Sequence, residues 1–383
     1  MKISINHQSP VYDSYRAACV RSLYNVENTG FALEAELPLD AEPWALGLIV
    51  GPSGSGKSSI GARIWGADAV YGKQGLPEGT PIIEAIAPQG GWDDVTAALS
   101  AVGLGSVPAW LRPFEVLSTG EKFRAELARV ISDAPARVVI DEFTSVVDRQ
   151  IAQIGATAFG KAWRRTGGQA VLLSCHYDIV DWLAPDWIFD TADGSFTWAR
   201  GRLRRPEIAL DIFQTNWRYW PLFEPHHYLK LPHMIAATCY VGFVGETPVA
   251  HLGVSTRPGM KEARACRLVI MPEWQGAGVG LRFLNEVCRM WRYGENRYDK
   301  PMRTLFHTSH PGLAAALRRS KLWTQVSGVL CGDDKVRCNK TLIASAEKAG
   351  GWKGGGASGC SVSGFGGHFR AVQGFRYLGE DVC

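Results

Sequence analysis

Apolar and polar residues alternate with regular spacing in the first half of this chain and predict an α/β fold there. Short apolar runs predict β-strands at residues 46–50, 138–140, 170–174 and 187–189. After Gly120 the apolar residues recur at helical spacing, namely Phe123, Leu127, Val130 and Ile131. Strands that alternate with helical segments are typical of an α/β protein.

The second half has a different pattern, which predicts a mixed α/β domain. Two apolar runs joined through residues 245–247 predict a hairpin, and two further runs predict strands. These four strands are expected at 234–242, 248–254, 266–271 and 302–307. A helix with Leu281, Leu284, Val287 and Cys288 on one face is expected to end near Trp291, and a short helix to cover 313–320.

The two halves carry opposite charges, and the arginine-rich run at 202–206 separates them, so we expect domains at 1–205 and 206–383. Residues 1–200 contain 16 Lys and Arg against 23 Asp and Glu, a net charge of −7, whereas residues 201–383 contain 25 against 14, a net +11. A basic domain rich in Trp, Tyr and Arg favours a nucleic-acid partner. Attraction between the halves, or a solvated charged surface, is the alternative.

Composition indicates a cytoplasmic protein. The chain has 383 residues, of which 46% are apolar, enough for two or three domains with buried cores. Its nine cysteines are scattered and odd in number, as in a reducing compartment. No apolar run approaches the roughly 18 residues of a membrane span, and the N-terminus has no signal-peptide pattern.

A glycine-rich loop follows the first predicted strand directly. Residues 51–58 read Gly-Pro-Ser-Gly-Ser-Gly-Lys-Ser, a complete match to the P-loop pattern in its strand–loop–helix setting. Backbone N–H groups of such a loop surround a phosphate chain, the lysine contacts the β- and γ-phosphates, and the final serine holds Mg²⁺. The chain is therefore expected to bind a nucleoside triphosphate.

Further motifs follow in a fixed order. The strand at 138–140 ends in Asp141 and Glu142, and carboxylates there hold Mg²⁺ and activate water in P-loop enzymes. The segment Leu-Ser-Thr-Gly-Glu-Lys at 117–122 resembles the signature motif of ABC-type ATPases. Gln89, residues 145–148 and His176 resemble the Q-loop, D-loop and switch histidine of that family.

This resemblance covers residues 1–200 and implies roles for individual residues. The implied nucleotide-binding residues are Gly51, Ser53, Gly54, Gly56, Lys57, Ser58, Ser59, Gln89, Ser118 and Gly120. The implied Mg²⁺ ligands are Ser58, Gln89 and Asp141, and the implied catalytic residues are Glu142 and His176. Thr119 and Glu121 depart from the usual glycine and glutamine, so slow hydrolysis is expected. Tyr24, expected at the end of a short strand, is the candidate for stacking on adenine, with a place in the core as the alternative.

A second glycine-rich turn lies in the C-terminal half. Residues 275–280 read Gln-Gly-Ala-Gly-Val-Gly after a predicted strand and before a helix, where glycines and a helix N-terminus favour a pyrophosphate. This turn resembles the acyl-CoA-binding motif of GNAT acetyltransferases. The resemblance implies an acetyl-CoA or other acyl-CoA site formed by Leu268, Ile270, Gln275, Gly276, Ala277, Gly278, Val279 and Gly280.

Both halves together resemble an ABC-type ATPase fused to a predicted GNAT acetyltransferase, an architecture of archaea and phages. The phage setting adds an analogy with Mom-type enzymes, GNAT relatives that modify adenine in phage DNA. Acyl transfer to an amine needs a proton acceptor, and the candidates are His251, His307 and His310, each with a structural role as the alternative. A tyrosine acid has no clear match, and Tyr377 is a possible substitute.

These observations predict an ATP-dependent acyltransferase that acts on an amino group of a nucleic acid base, DNA in particular. The expected cofactors are ATP, Mg²⁺ and an acyl-CoA, and the expected assembly is an ATP-dependent homodimer. The alternatives are an ATP-gated N-acetyltransferase for a protein or small molecule, and a non-catalytic ATP-driven clamp.

Overall fold

The computed structural model describes residues 1–7, 14–24, 31–71, 76–228, 234, 237–256, 261–329 and 371–379. The chain forms two compact units. The first unit consists of Met1–Gln89 and Arg112–Glu207, and the second of Gly90–Leu111 and Ile208–Cys383. The sequence interpretation places residues 90–111 in the N-terminal domain, whereas in the structure this segment belongs to the second unit.

The elements are numbered in chain order. The strands are β1 (Lys2–His7), β2 (Phe31–Glu36), β3 (Leu46–Val50), β4 (Arg137–Ile140), β5 (Gln169–Ser174), β6 (Trp187–Asp190), β7 (Ser195–Trp198), β8 (Asp211–Thr215), β9 (Thr238–Val244), β10 (Thr247–Thr256), β11 (Glu262–Ile270), β12 (Arg303–Thr308), β13 (Trp323–Val329) and β14 (Val372–Tyr377). The helices are α1 (Tyr15–Tyr24), α2 (Lys57–Trp65), α3 (Ile82–Ala85), α4 (Trp92–Ala101), α5 (Val107–Trp110), α6 (Thr119–Asp133), α7 (Arg149–Trp163), α8 (Val180–Leu183), α9 (Trp220–Phe223), α10 (Val279–Tyr293) and α11 (Pro311–Arg319).

The first unit is built on a five-stranded sheet with the order β4-β5-β3-β6-β7. The first four strands in that order run parallel, and β7 pairs antiparallel with β6. All five residues of β3 are buried, as expected for a central parallel strand covered on both faces. The four strands predicted for this half are confirmed, and they position the loops at their carboxyl ends.

The second unit contains a seven-stranded sheet with the order β13-β14-β12-β11-β10-β9-β8. Only the β11–β12 pair is parallel among its described pairs. Helix α10 packs Phe283, Leu284 and Val287 into the core of this unit. The sheet is therefore mixed, with its two parallel strands at the centre.

Strand boundaries in the second unit differ from the sequence expectation, and β11 begins at Glu262, four residues before the predicted start at 266. Strand β9 begins at Thr238 and ends at Val244, later than the predicted 234–242 at both ends. The hairpin turn has only two residues, because Thr247 already pairs with Val244. Gly245 has a φ of +58°, which glycine adopts without steric cost and which a two-residue hairpin turn requires.

Within the described ranges, no helix combines the length and the apolar character needed to cross a membrane.

Candidate functional site

The loop between β3 and α2 has the backbone geometry of a phosphate-binding loop. Gly51, Gly54 and Gly56 all have positive φ angles, of 145°, 78° and 85°, and Gly56 is the N-cap of α2. Nζ of Lys57 donates to the carbonyls of Gly51, at 2.9 Å, and Pro52, at 2.6 Å. The loop therefore curls around the ammonium group, with the helix N-terminus beside it.

One wall of this loop is closed by a residue after β6. Thr191 donates to the carbonyl of Val50 at 3.1 Å and bonds to the hydroxyl of Ser55 at 2.5 Å. A side chain at residue 51 would place its Cβ 1.9 Å from Oγ1 of Thr191. Glycine is therefore required at the first loop position on packing grounds as well as by its φ. Ser58 is exposed in the first turn of α2, and Ser53 and Ser59 lie in the same loop and turn.

The other motifs lie at the same edge of the sheet. Strands β3, β5 and β4 are neighbours and parallel, so residue 51, His176 and Asp141 all follow the carboxyl ends of adjacent strands. Oδ1 of Asp141 accepts from the backbone N–H of Glu142 at 2.7 Å. Glu142 has a φ of +50°, which is rare for a residue with a side chain and is a strain often found at functional sites.

His176 is held by a charged network. Nη1 of Arg149 donates to Nδ1 of His176 at 2.9 Å, and the same guanidinium forms an ion pair with Asp178. Partial burial lowers the pKa of His176 below its usual 6.5, Arg149 lowers it further, and Asp178 acts in the opposite direction. Because Nδ1 accepts a hydrogen bond, the proton of the neutral ring is on Nε2.

The signature segment, residues 117–122, forms the start of α6. Ser118 is the N-cap, and its Oγ accepts from the backbone N–H of Glu121 at 3.3 Å while the Glu121 carboxylate accepts from the Ser118 backbone at 2.9 Å. This capping box accounts for glutamate at position 121. Gly120 allows α6 to approach α7, because a Cβ there would lie 2.8 Å from Cδ1 of Ile151.

The structure gives the setting of two further candidate residues. Gln89 is exposed and is the last residue of the first unit before residues 90–111. Tyr24 lies at the end of helix α1, not of a strand, and is 74% exposed.

In the second unit, the two parallel strands part beyond a defined point. Among the described residues, β11 pairs with β12 only from Glu262 to Ala265, which is opposite Phe306. Beyond Ala265, the strand β11 continues to Ile270 and, within the described ranges, pairs with β10 alone. We call the space between β11 and β12 beyond this last pair the strand gap.

A bulge in β11 lies beside the strand gap. Val269 pairs with His251 and Cys266 with Gly253, so β11 contains one more residue than β10 over this stretch. Arg267 in this bulge has a φ of +55°, and its guanidinium lies over the ring of Trp217 at 5.1 Å. A bulge of this kind turns a strand and interrupts its pairing.

The glycine-rich turn at 275–280 follows β11 and leads into α10. Gly276 and Gly278 have φ angles of 91° and 90°, and Gly278 is the N-cap of the helix. In the part of the chain that the structure describes, a Cβ at Gly278 would meet nothing within 4 Å, and the helix N-terminus is open there. Gly280 instead packs on β11, because a Cβ there would lie 3.0 Å from Cγ1 of Ile270. Ala277 and Val279 complete the turn.

Gln275 engages the backbone of its own unit. Its Nε2 donates to the carbonyl of Ile270 at 2.9 Å, and its Oε1 accepts from the N–H of Gly105 at 3.0 Å. The carbonyl of Ile270 is therefore bonded to a side chain, while Leu268 is half-buried in the bulged part of β11.

The three candidate histidines have different environments. His310 is the N-cap of α11, where Nδ1 accepts from the N–H of Leu313 at 3.2 Å and Nε2 bonds to the carbonyl of Gly105 at 3.2 Å. Both of its nitrogens are thus used structurally. His307 is the residue of β12 directly after Phe306, so it lies at the mouth of the strand gap.

His251 is fully buried in an aromatic cage. The rings of Trp217, Trp220 and Phe223 lie 5.9, 5.3 and 5.5 Å from the imidazole. Within the described part of the chain, neither of its ring nitrogens has a hydrogen-bond partner. Burial lowers the pKa of His251 to about 4, with a smaller contribution from Arg267, so the ring is neutral at physiological pH.

Three parts of these sites are absent from the sequence interpretation: Arg149, Thr191 and the contact of residues 103–105 with Gln275. Arg149 directly follows Asp148 of the D-loop segment, so its position gave a signal. Thr191 and residues 103–105 come close only through sheet order and tertiary packing, which no local pattern reveals.

The parallel sheet and the glycine-rich loop between β3 and α2 define a P-loop nucleotide-binding domain. The "Cytochrome c biogenesis ATP-binding export protein CcmA" of Rhodospirillum rubrum is 32% identical over 196 residues, which cover 40% of this chain and 82% of that protein. The chain therefore belongs to the ATP-binding cassette family, and its N-terminal part is an ABC ATPase domain that binds ATP.

Two solved structures are also similar. One is the ATP-binding cassette MJ0796 in a dimeric post-hydrolysis state bound to ADP and Pi. The similar region covers 41% of this chain and 86% of the MJ0796 chain, with 17% sequence identity and a TM-score of 0.34. The CbiO1 protein of Clostridium perfringens, part of an ABC transporter complex, covers 42% and 76% at 16% identity and a TM-score of 0.32. With such low TM-scores, these structures add nothing to the assignment. No protein-family model matches the chain.

Proposed function

We propose that this protein is an ATP-dependent acyltransferase that moves an acyl group from acyl-CoA to an amino group of a nucleic acid base. The observation that carries the proposal is the strand gap between β11 and β12, adjoining the open helix N-terminus at Gly278. Together with the ABC ATPase domain, this fits the fused ABC–GNAT architecture that the motifs resemble.

The strand gap and the glycine turn suit the two ends of a coenzyme A molecule. A strand edge without a neighbouring strand offers backbone N–H and C=O groups to an extended amide chain such as pantetheine. The N-terminus of α10, with glycines at 276 and 278, offers N–H groups and a positive dipole end to the pyrophosphate. The residues present therefore fit an acyl-CoA.

A nucleic-acid acceptor is supported by charge and by aromatic rings, of which Phe213 is exposed and Tyr219 is partly buried. The net charge of residues 201–383 is +11. At the β8 edge of the sheet, the half-exposed ring of Phe213 contacts Phe243, and Arg218 lies over Tyr219 at 4.9 Å. Arginine beside exposed aromatic rings is the combination on which unpaired bases stack.

The proposed chemistry is aminolysis of a thioester, for which the coenzyme supplies the activated carbonyl. The amino nitrogen forms a bond to that carbonyl carbon while the C–S bond breaks. The nitrogen gives up one proton, which balances the proton that the departing coenzyme A thiolate takes up. His307 is the proposed proton acceptor because it borders the strand gap. His310 is proposed as a positioning residue, since both its nitrogens are engaged.

The ATPase supplies no chemical step in this scheme, since thioester aminolysis is downhill, so ATP is proposed to drive conformational change. Ser58, Gln89 and Asp141 are the proposed Mg²⁺ ligands, and Glu142 the residue that activates water. In the proposed homodimer, the N-terminus of α6 at Ser118 in one protomer faces the phosphates held by Lys57 of the other, where the helix dipole favours negative charge.

Acetyl-CoA binding tests the transferase half directly, by calorimetry with the purified full chain. Gly278→Ala places a methyl group at the open helix N-terminus and should weaken binding at least tenfold. Gly245→Ala is the matched control, because Gly245 also has a positive φ and open space around it, but lies in the β9–β10 turn. Absence of acyl-CoA binding by the wild-type protein would refute the transferase and leave an ATP-driven clamp. Binding without modification of nucleic acid would favour a protein or small-molecule acceptor.

A further inference from the structure

The segment at residues 90–111 leaves the first unit directly after Gln89 and is part of the second unit. Its helix α4 packs against α11. The contact is close at one point, because a Cβ at Gly312 would lie 2.1 Å from Oγ of Ser100. At its other end the chain returns to the first unit at Arg112, whose carbonyl accepts from the N–H of Ile82 at 3.0 Å.

The turn at residues 103–105 in this segment lies against the proposed coenzyme-binding turn. The N–H of Gly105 donates to Oε1 of Gln275 at 3.0 Å. Gly103, with a φ of +80°, approaches so closely that a Cβ there would lie 2.2 Å from the carbonyl oxygen of Gln275 and 3.0 Å from the nitrogen of Gly276. Residues 103–105 therefore form a wall of the first half of that turn, while the Gly278 half stays open.

His310 ties the same turn to β12 and α11. Its Nε2 donates to the carbonyl of Gly105 while Nδ1 caps α11, and the indole of Trp110 packs edge-on against its ring with centroids 5.5 Å apart. Trp110 in turn donates from Nε1 to the carbonyl of Leu104 at 2.7 Å. A movement of residues 103–105 would thus displace both Gln275 and the start of α11.

We propose that residues 90–111 link the nucleotide site to the acyl-CoA site, so that ATP and acyl-CoA change each other's affinity. This rests on the proposed function for its second ligand. Gln89 is the implied nucleotide- and Mg²⁺-contacting residue and is joined covalently to this segment. Any shift of Gln89 on ATP binding is passed to α4 and to the turn at residues 103–105, which holds Gln275 through the hydrogen bond from Gly105.

Thermodynamic linkage requires the effects of ATP and acyl-CoA on each other's affinity to be equal. If ATP changes the affinity for acyl-CoA by some factor, acyl-CoA must change the affinity for ATP by the same factor, commonly about 5- to 150-fold. Calorimetric titrations of Glu142→Gln protein with ATP and Mg²⁺, with and without saturating acetyl-CoA, give the factor by which acetyl-CoA changes the affinity for ATP. Titrations with acetyl-CoA, with and without ATP, give the other. Equal factors of at least about fivefold are expected, and factors of one would overturn the proposal.

Two variants test the route. Gly103→Ala forces residues 103–105 away from Gln275, and Gly245→Ala is its control, with a similar positive φ but open space. His310→Asn retains an N-cap residue for α11 but is too short to reach Gly105. In both test variants, the factor by which ATP changes the affinity for acetyl-CoA should fall close to one. The control variant should retain the wild-type factor. If both test variants retained the wild-type factor, residues 103–105 would not carry the coupling.

Hydrogen exchange separates this inference from the proposed function. Should acetyl-CoA fail to bind, the transferase is refuted, but the link from Gln89 to residues 103–105 still predicts a response to ATP alone. The amide of Gly105 should then exchange at least about fivefold faster or slower with ATP and Mg²⁺ than without, corresponding to an opening free energy altered by about 1 kcal/mol. Unchanged exchange there would overturn the link itself.

Discussion

The guanidinium of Arg149 donates to Nδ1 of His176 at 2.9 Å, and Arg149 directly follows Asp148, the N-cap of α7. The loop after β5 is therefore bonded to the start of α7. The bond fixes the neutral ring with its proton on Nε2, the form that donates to an anion. Protonation of Nδ1 would place two donors face to face and break the contact.

The pH profile of ATP hydrolysis tests this contact. The pKa of His176 lies below 6.5 because of burial first and Arg149 second, so the rate should fall only as the pH drops below that range. Arg149→Gln removes a charge that lowers the pKa and leaves Asp178, which raises it. The acidic limb of kcat should therefore move to higher pH. Arg165→Gln, an exposed arginine elsewhere in the first unit, should leave the profile unchanged. Superimposable profiles for Arg149→Gln and wild type would contradict the role of this bond.

Removing the proposed water-activating group should trap the ATP-bound assembly. Glu142→Gln keeps the backbone and the phosphate loop but loses the carboxylate, so ATP remains bound and uncleaved. Light scattering with ATP and Mg²⁺ should show a homodimer for this variant. The control Glu78→Gln removes another exposed carboxylate of the first unit and should behave as wild type. A purely monomeric Glu142→Gln protein under these conditions would count against the dimer.

Acid should destabilise the second unit through His251. The pKa of this ring is about 4 in the folded protein and about 6.5 in the unfolded chain, so the unfolded state binds more protons below pH 6.5. Above pH 6.5 the ring is neutral in both states and does not lower the free energy of unfolding. As the pH falls from 6.5 towards 4, protonation of the ring in the unfolded chain alone lowers the free energy of unfolding progressively. Wild type should lose about 2 kcal/mol of unfolding free energy from this group at pH 5, and His251→Phe should not.

Denaturant unfolding at pH 7.5 and pH 5, followed by tryptophan fluorescence, measures that difference. His226→Gln removes an exposed histidine near the same short helices and should retain the wild-type acid sensitivity. An equal loss of stability in wild type and His251→Phe would show that the buried ring does not titrate as described.

Nucleic acid should bind electrostatically to the second unit. Arg318 and Arg319 are exposed in the last turn of α11. If about six basic side chains contact phosphates, affinity should fall roughly a thousandfold between about 50 and 200 mM salt. Changing both arginines to Glu should weaken binding to all sequences about equally and flatten the salt dependence. Arg16→Glu with Arg21→Glu, the same charge change on α1, should have little effect. No binding to duplex DNA, single-stranded DNA or tRNA at low salt would exclude a nucleic-acid acceptor.

The sequence predicted the four parallel strands of the first unit and helices α2 and α6, because each of its motifs is short and joined to a regular element. The loop at 51–58 lies between a buried strand and a helix as expected, and Ser118 caps α6 with Glu121. Tyr24 was misplaced because a weakly apolar stretch of ten residues does not distinguish a strand from a surface helix.

In the second unit, the sequence predicted β9 to β12, α10 and α11, but not β8, β13, α4 or the long-range contacts. Residues 90–111 have an ordinary helical pattern, and nothing local shows that Gly105 meets Gln275, 170 positions later. Likewise His310 looked like a catalytic candidate beside a strand end, but the first turn of α11 and the carbonyl of Gly105 occupy its nitrogens. Long-range packing decides these roles.

The proposed coupling of an ABC ATPase to acyl transfer onto a nucleic acid base can be measured in one reaction. The most direct measurement incubates the full chain with ATP, Mg²⁺, isotope-labelled acetyl-CoA and single-stranded DNA or RNA, and then analyses the digested nucleosides by mass spectrometry. We expect a nucleoside heavier by one labelled acetyl group. The yield of this nucleoside should fall at least tenfold without ATP, in Lys57→Ala and in Gly278→Ala. Unmodified nucleosides from every nucleic acid, with ATP hydrolysis and acetyl-CoA binding both intact, would contradict it.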